Sequence, residues 1–456
     1  MAAPRLCLTS LLACAALLPL GGCGEGSVPS PLATLRRPKA IVLISLDTLR
    51  ADMLGAYGYR RYPTSPFLDS FAEENILFEN AIVQEPRTLT SHMSLMTGLY
   101  PHHHAVVDET VLEEDVPTLA SLLRERGFRT QGFADGGYLD AKWGFDRGFD
   151  GYADERVGGE EIFAQAKRWL RAHGGEPFFL FLHTYEIHSE GIGPYYPSPP
   201  PYAGMFSGDM ESVLRASSME EFGERWEAHA DDLTDADHEY VKATYAEGIR
   251  HTDAIVADFF EFLERRNMID DVLVVIWSDH GEGLFDHGGW SHGQLYDHTL
   301  RVPLFLRLPG WEAGSLRVKS VVSSIDIAPT ILQLVGGPVP PRMDGVSLLP
   351  LLQQEEEGRS AFSVRTKGDM RRFSLRAREK HYLWDDESRE GLYFDLRSDR
   401  EERKNLIEVD PDAGSLRPRL EAWIEVWSQA REGRGTETRA LDDETLEELR
   451  ALGYVE

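Results

Sequence analysis

The chain has 456 residues and a formal charge of −29, from 76 acidic against 47 basic residues. A surface of that sign excludes a nucleic-acid backbone or an anionic membrane face as its general partner. An anionic substrate is admitted only where local cations or a metal reverse the field.

Residues 1–23, "MAAPRLCLTSLLACAALLPLGGC", combine one positive charge, an apolar run and small residues closing on a cysteine. This predicts a secretory signal, and Leu20-Gly21-Gly22 before Cys23 fits a bacterial lipoprotein cleavage box. We therefore expect an exported lipoprotein, periplasmic or on the cell surface, touching the membrane only through a lipid on Cys23. The cysteines are Cys7, Cys14 and Cys23. Cleavage before Cys23 leaves no thiol in the mature body, which excludes disulfides, zinc–thiolate sites and a cysteine nucleophile. Residues 24–39, rich in Gly, Pro and Ser, read as a flexible tether.

An α/β pattern begins at residue 40. Ile41–Ile44 form a short β-branched run of the doubly buried kind, ending at Asp47. "PFFLFLHT" (177–184) and "VLVVIWSDH" (272–280) have the same character, and "RVPLFLRLPG" (301–310) looks similar. Helical patterns lie between them: "TSPFLDSFAEENILFEN", "TLASLLRERGF" and "GIRHTDAIVADFFEFLERRNMI". Such alternation predicts a large, mainly parallel sheet over residues 40–357, with ligands gathering at the carboxyl ends of the strands. Asp47, His183, Asp279 and His280 all stand at such ends. Residues 189–240 interrupt the pattern with a Pro- and Tyr-rich stretch and an acidic helical one, read as an insertion or lid. From residue 358 to 456, period-two segments broken by turn residues predict a small antiparallel sheet, followed by helices.

Asp47, Asp279 and His280 offer donors suited to a divalent cation such as calcium, magnesium, manganese or zinc. Thr88 opens the predicted helix "LTSHMSLMTG". Beside such an ion a threonine hydroxyl becomes a usable nucleophile, and a helix N-terminus presents N–H groups to an oxyanion. The alternative role for Thr88 is a plain helix cap.

Several segments together resemble the sulfatase branch of the alkaline phosphatase superfamily. They are "VLISLDTLRADMLGAYGY", "PTSPFLDSFAEENILFENAI", "TLTSHMSLMTGLYPHHHAV", "GFDRGFDGY", "VVIWSDHGEGLFDHG", "LRVPLFLRLPG", "SSIDIAPTILQLVG", "DGVSLLPLL" and "LYFDLRSDREERKNL". The similarity runs in family order from about residue 40 to about residue 410. It implies an alkaline phosphatase-like α/β sandwich with a small C-terminal sheet domain. It also implies one divalent cation, usually calcium, held by Asp47, Asp279 and His280 beside Thr88.

The departures are specific. Sulfatases carry Cys/Ser-x-Pro/Ala-x-Arg, whose first residue becomes formylglycine; here the motif reads Thr88-Leu89-Thr90-Ser91-His92. Threonine is a secondary alcohol, so its oxidation cannot give that aldehyde. The second of two adjacent aspartates is Thr48. By resemblance His92 stands where the family has arginine and could bind substrate. His183, His188 and His292 are then candidates for acid–base work, with Glu186 where aspartate is usual. Glu186 and His188, with His287 or His292, offer a second metal site or the surroundings of the first. The "PHHH" tract (101–104) reads as an exposed cluster without a role.

Three functions follow as expectations. The first is a metal-dependent hydrolase that acts through Thr88 on an anionic small-molecule or glycan ester, with a phosphoester or phosphonate favoured over a sulfate ester. The second is a transferase moving a phosphoryl-alcohol group onto a cell-envelope glycan. The third is a catalytically degenerate binding protein.

Overall fold

The computed structural model describes residues 34–107, 110–354, 359–368 and 370–432. The leader, Cys23, most of the tether and residues 433–456 lie outside the described residues.

A nine-stranded sheet forms the centre. Its strands are β1 (Ala40–Leu46), β2 (Ile76–Ile82), β3 (Arg129–Phe133), β4 (Gly151–Ala153), β5 (Phe178–Thr184), β6 (Val272–Trp277), β7 (Arg301–Val302), β8 (Leu304–Arg307) and β9 (Leu316–Ser323). The order is β4-β3-β5-β1-β6-β8-β2-β7, with β9 also paired to β2. β1 lies between β5 and β6, parallel to both, and every residue of these three strands is buried. Continuous burial explains their uninterrupted apolar runs.

Both faces of the sheet are covered by helices. Ile41, Leu43, Phe179, Phe181, Leu273 and Val275 face one apolar core. Val42, Ile44, Leu180, Leu182, Val274 and Ile276 face the other. Helices α1 (Pro66–Glu74), α2 (Thr88–Thr97), α3 (Pro101–His104), α4 (Leu119–Arg124), α5 (Gly159–His173), α6 (Met219–His229), α7 (Asp235–Arg265), α8 (Asp297–Leu300) and α9 (Ile327–Leu334) complete this part. α2, α4 and α9 cover the first face, and α1, α5 and α7 cover the second. The result is the expected α/β sandwich.

Two segments differ from the sequence reading. "TSPFLDSFAEENILFEN" is not one helix: α1 stops at Glu74, Asn75 is extended, and Ile76 begins β2. "RVPLFLRLPG" is split at Pro303 into β7 and β8, which run antiparallel to β2, because proline has no N–H for a ladder. The insertion is ordered and packs on α7. The Glu247 carboxylate accepts the backbone N–H groups of Gly204, Phe206 and Ser207 at 3.0, 2.8 and 2.7 Å. α7 itself starts at Asp235, fixed by a capping box between Thr234 and Asp237.

The small sheet, β10 (Ser360–Lys367), β11 (Met370–Ala377), β12 (Lys380–Asp385) and β13 (Glu390–Asp395), is antiparallel. One face packs on the helix α10 (Ala413–Glu432) through Phe373, Leu375, Tyr382, Leu416, Leu420 and Trp427. Ala361, Leu383, Phe394 and Leu396 join the core of the large sheet.

Candidate metal centre and active site

β1 and β6 end side by side, so the residues following them meet. Asp47 follows β1, while Ser278, Asp279 and His280 follow β6. Past Asp47 the chain turns through Thr48 at φ +57°, a left-handed conformation that β-branched residues rarely adopt. Hydrogen bonds hold it there. The Thr48 hydroxyl is shared between the carbonyls of Asp47 and Ile187 at 2.8 and 3.0 Å, and its N–H reaches Asp279 Oδ1 at 3.2 Å. Ser278 ties the two turns together, accepting the Leu49 N–H at 2.9 Å and donating to the His280 carbonyl at 2.7 Å.

Thr88, fully buried, is the first residue of α2. The helix is bolted to the strand ends from beneath. The Ser91 hydroxyl donates to the Asp279 carbonyl at 2.6 Å. His92 Nδ1–H donates to the Thr88 carbonyl at 2.8 Å, and its Nε2 accepts from Ser45 at 2.7 Å. In this register Thr88 Oγ1 lies 3.2 Å from His280 Nε2. His280 Nδ1–H donates to the Gly281 carbonyl at 2.9 Å, which leaves the Nε2 lone pair turned toward Thr88 and the carboxylates.

Ligand atoms of Asp47, Asp279 and His280 all lie within 4.8 Å of one another, and all three residues are buried. Asp47 Oδ1 and Asp279 Oδ2 accept no hydrogen bond. Two buried carboxylates facing each other with unsatisfied oxygens are costly unless a cation neutralises them. The donor set, two carboxylates and one imidazole, fits a divalent ion. Burial, the neighbouring Asp279 carboxylate and Glu282 raise Asp47 well above the usual carboxylate range. Burial also works against an ionised Asp279, but His280, His92, the Asp47 carboxyl and the Thr48 N–H outweigh it and hold Asp279 low. The two carboxyls therefore oppose one another's ionisation, and binding a cation favours both as carboxylates.

The other expected residues fall into two groups. His188 and His292 stand at the site: the His292 ring is 4.3 Å from that of His280 and 5.4 Å from that of His188. Burial keeps both neutral, lowering His188 to about 3 and His292 well below the imidazole range. His183 and His92 are at the site but committed. His183 Nε2 donates to Asp47 Oδ2 at 3.0 Å, and its Nδ1 faces the Asp135 N–H at 3.5 Å. Neither His183 nor His92 has a ring nitrogen left for a reacting group, so both are positioning residues. His92 does not take over the substrate-binding place of the motif arginine.

Glu186 and His287 are elsewhere. Glu186 accepts from the Gly159 N–H at 2.7 Å and pairs with His251 at 3.2 Å. His287 stacks on Tyr296 with ring centroids 3.7 Å apart and bonds the Glu401 carbonyl at 2.9 Å. They therefore form no second metal site with His188. The "PHHH" tract is also less exposed than expected: His102 and His104 are buried, and His103 pairs with Asp344 at 2.7 Å.

A second trio of ligand types, Asp297, His381 and Glu402, is also close-set. The Arg376 guanidinium already binds both Asp297 oxygens, at 2.6 and 2.9 Å. A resident arginine there repels a cation, so this trio is a structural crosslink.

Residues 39–337 match the family model described as Sulfatase, and residues 285–428 match that described as N-sulphoglucosamine sulphohydrolase, C-terminal. The chain belongs to the sulfatase family. Among curated relatives, it is 25% identical to the multifunctional alkaline phosphatase superfamily protein PehA of Trinickia caryophylli, over 69% of this chain and 77% of that protein. It is 24% identical to an arylsulfatase of Clostridium perfringens, over 80% of this chain and 90% of that one. Among solved structures, BT4656 in complex with D-glucosamine-2-N,6-O-disulfate superimposes with a TM-score of 0.71 at 18% identity, over 89% of this chain and all of that one. The phosphonate monoester hydrolase of Agrobacterium radiobacter superimposes with a TM-score of 0.70 at 22% identity, over 86% and 96%.

As a member of the sulfatase family within the alkaline phosphatase superfamily, the protein is a hydrolase of ester bonds. Beside Thr88 and the left-handed Thr48, the site holds Glu282, which the sequence reading passed over. Glu282 is fully buried, its Oε1 lies 3.5 Å from His292 Nδ1, and its Oε2 accepts no hydrogen bond. The signal was present in "SDHGEG", two residues beyond His280, but a glutamate beside glycines there looks like any loop residue. Ser45 and Asp135, which orient His92 and His183, carry no sequence mark at all.

Proposed function

We propose that this protein hydrolyses an ester of an oxyanion with Thr88 as the nucleophile, preferring phosphoric or phosphonic esters to sulfuric ones. The observation that carries this reading is the Thr88 hydroxyl, at the start of α2 and 3.2 Å from His280 Nε2, within the Asp47–Asp279–His280 trio. When bound, a divalent cation held by those three residues supplies positive charge that favours the ionised Thr88 oxygen and the charge developing on the substrate.

Thr88 Oγ attacks the central phosphorus or sulfur, and the bond to the alcohol oxygen breaks. The neutral His292 imidazole, which His188 and Glu282 surround, takes up the proton that the Thr88 hydroxyl releases and delivers it to the departing oxygen. The N-terminal N–H groups of α2 favour the negative charge on the transferred group. Threonine has a single hydroxyl, so the covalent intermediate is cleared by water attacking the same central atom, which restores Thr88. A phosphorus centre suits this two-step route, and similarity to PehA and to a phosphonate monoester hydrolase supports it. We take calcium as the cation by family resemblance, with manganese or zinc as alternatives, and an anionic glycan or small-molecule ester as the substrate. The leader ending at Cys23 supports export and lipid tethering.

The test is a panel of aryl sulfate, phosphate mono- and diester, and phosphonate substrates under several divalent ions. Thr88→Ala is expected to lose about 10³-fold or more in kcat. Intact-mass measurement of a rapidly quenched reaction should show a phosphorylated or sulfated Thr88. Equal turnover by wild type and Thr88→Ala removes Thr88 from the reaction.

A further inference from the structure

The loop after His280 brings two stretches of chain close together. A Cβ on Gly283 would stand 2.5 Å from the carbonyl oxygens of Gly289 and Ser291, so a glycine there lets the segment leading to His292 pack against it. The Leu284 N–H closes this apposition on the Trp290 carbonyl at 2.9 Å. Between Gly281 and Gly283, Glu282 is held by its backbone, whose carbonyl accepts from the buried Arg50 guanidinium at 3.1 Å. Its side chain is fully buried, with Oε1 3.5 Å from His292 Nδ1.

Glu282 Oε1 takes the Gly283 N–H at 3.1 Å, while Oε2 accepts no hydrogen bond. His188, the other imidazole nearby, gives its Nδ1–H to the Ser189 carbonyl at 2.7 Å. Burial keeps that ring neutral, so it has no further proton to give to Glu282. Near the carboxylate stands Tyr196 of the insertion, also buried, whose hydroxyl has no partner within hydrogen-bond distance either. Burial and then the Glu282 charge push that phenol well above its usual range, so it remains an O–H donor. The Tyr196 ring is seated edge-on against Tyr245 of α7, with centroids 5.3 Å apart, and the Tyr245 hydroxyl donates to the Thr48 carbonyl at 2.7 Å. The insertion is in this way tied to the turn that follows Asp47.

We propose that Glu282 and Tyr196 are positioning residues for His292. The Glu282 carboxylate accepts the Nδ1–H of His292 and so fixes the tautomer and the angle of the ring, and the Tyr196 O–H donates to the carboxylate and holds it in place. The inference rests on the proton-transfer reading of His292 given above. The 3.5 Å separation is that of the resting site. When His292 takes up the Thr88 proton it becomes a cation beside a carboxylate, and the contact shortens. The proton then passes to the departing oxygen, which leaves Glu282 as it began. The insertion is thereby part of the acid–base apparatus as well as a covering of the site.

The experiment uses the full-length, calcium-loaded protein and two aryl esters, 4-nitrophenyl and phenyl, of the oxyanion that the substrate panel ranks first. A 4-nitrophenolate departs with little help, whereas a phenolate needs a proton. The ratio of kcat/KM for the two esters therefore reads proton delivery, and a general loss of folding or binding leaves it unchanged. His292→Ala should lose about 10²-fold or more on the phenyl ester and far less on the 4-nitrophenyl ester. Glu282→Gln should lose about tenfold more on the phenyl ester than on the other, and Tyr196→Phe about threefold more. The thermal midpoint of each variant checks that it is folded, and Tyr196→Phe, which removes a single oxygen, keeps the test open if Glu282→Gln is not. An unchanged ratio in Glu282→Gln and Tyr196→Phe, beside a selective loss in His292→Ala, overturns this inference alone. An unselective loss in His292→Ala overturns the reading of His292 and the inference with it.

Discussion

His92 illustrates how much of this site is held from behind. Its ring joins Ser45 on β1 to the Thr88 carbonyl at the start of α2, so it sets the angle at which the nucleophile enters. His92→Ala is expected to lower kcat about tenfold or more with little change in KM, since a positioning defect is felt where the geometry must be tightest. Steady-state kinetics on the best substrate of the panel separates the two parameters. The facing carboxylates make a second prediction. Chelation should lower the thermal midpoint of the wild type, by the loss of about 3–4 kcal/mol of linkage at saturating metal. Asp47→Asn removes the repulsion that raises Asp47, so its metal-free form should melt above the metal-free wild type and respond little to added calcium. Scanning fluorimetry with and without chelator checks both signs.

At the level of elements, the continuous apolar runs of β1, β5 and β6 were legible because burial on both faces leaves no other pattern open to them. β2 was not, since Ile76–Phe78 follow α1 at helical spacing and only the extended Asn75 separates the two. The insertion shows the same limit. Its Pro- and Tyr-rich composition gives no periodicity, and its order comes from Glu247 on α7, which collects three backbone N–H groups from residues 204–207. Glu247→Ala should free that segment at a local cost of about 2–3 kcal/mol or more. Limited proteolysis is expected to cut between residues 200 and 215 in the variant and not in the wild type.

Across the whole molecule, the two sheets are joined through buried polar contacts as well as shared core. Arg376 on β11 grips Asp297 of the large domain, while Glu402 accepts the Asp297 N–H at 2.6 Å and meets His381. Burial alone would raise Asp297, but Arg376, and then Arg301 and His381, hold its carboxyl well below the usual carboxylate range. A carboxylate depressed on folding adds stability that is present above its unfolded pKa of about 4 and is lost as pH falls below it. Arg376→Ala strands Asp297 and should cost about 3–5 kcal/mol near neutral pH. That difference should narrow as the pH falls below about 4, as urea unfolding midpoints measured from pH 7 downward would show.

The class of the fold, the strand ends at which ligands gather, and Asp47, Asp279 and His280 at those ends could all be read along the chain, while Thr88 came from the resemblance of its motif. Local pattern suffices for the strand-end residues, because a doubly buried strand and the polar residues that follow it are adjacent in the chain. It took the three-dimensional packing to show that His92 and His183 are tied to their neighbours, that Glu186 and His287 are committed elsewhere, and that Glu282 stands beside His292. Those outcomes depend on contacts between residues far apart in the chain, as with Ser45 and His92 or Asp47 and His183. Such pairings follow from how the sheets pack, and no local spacing encodes them.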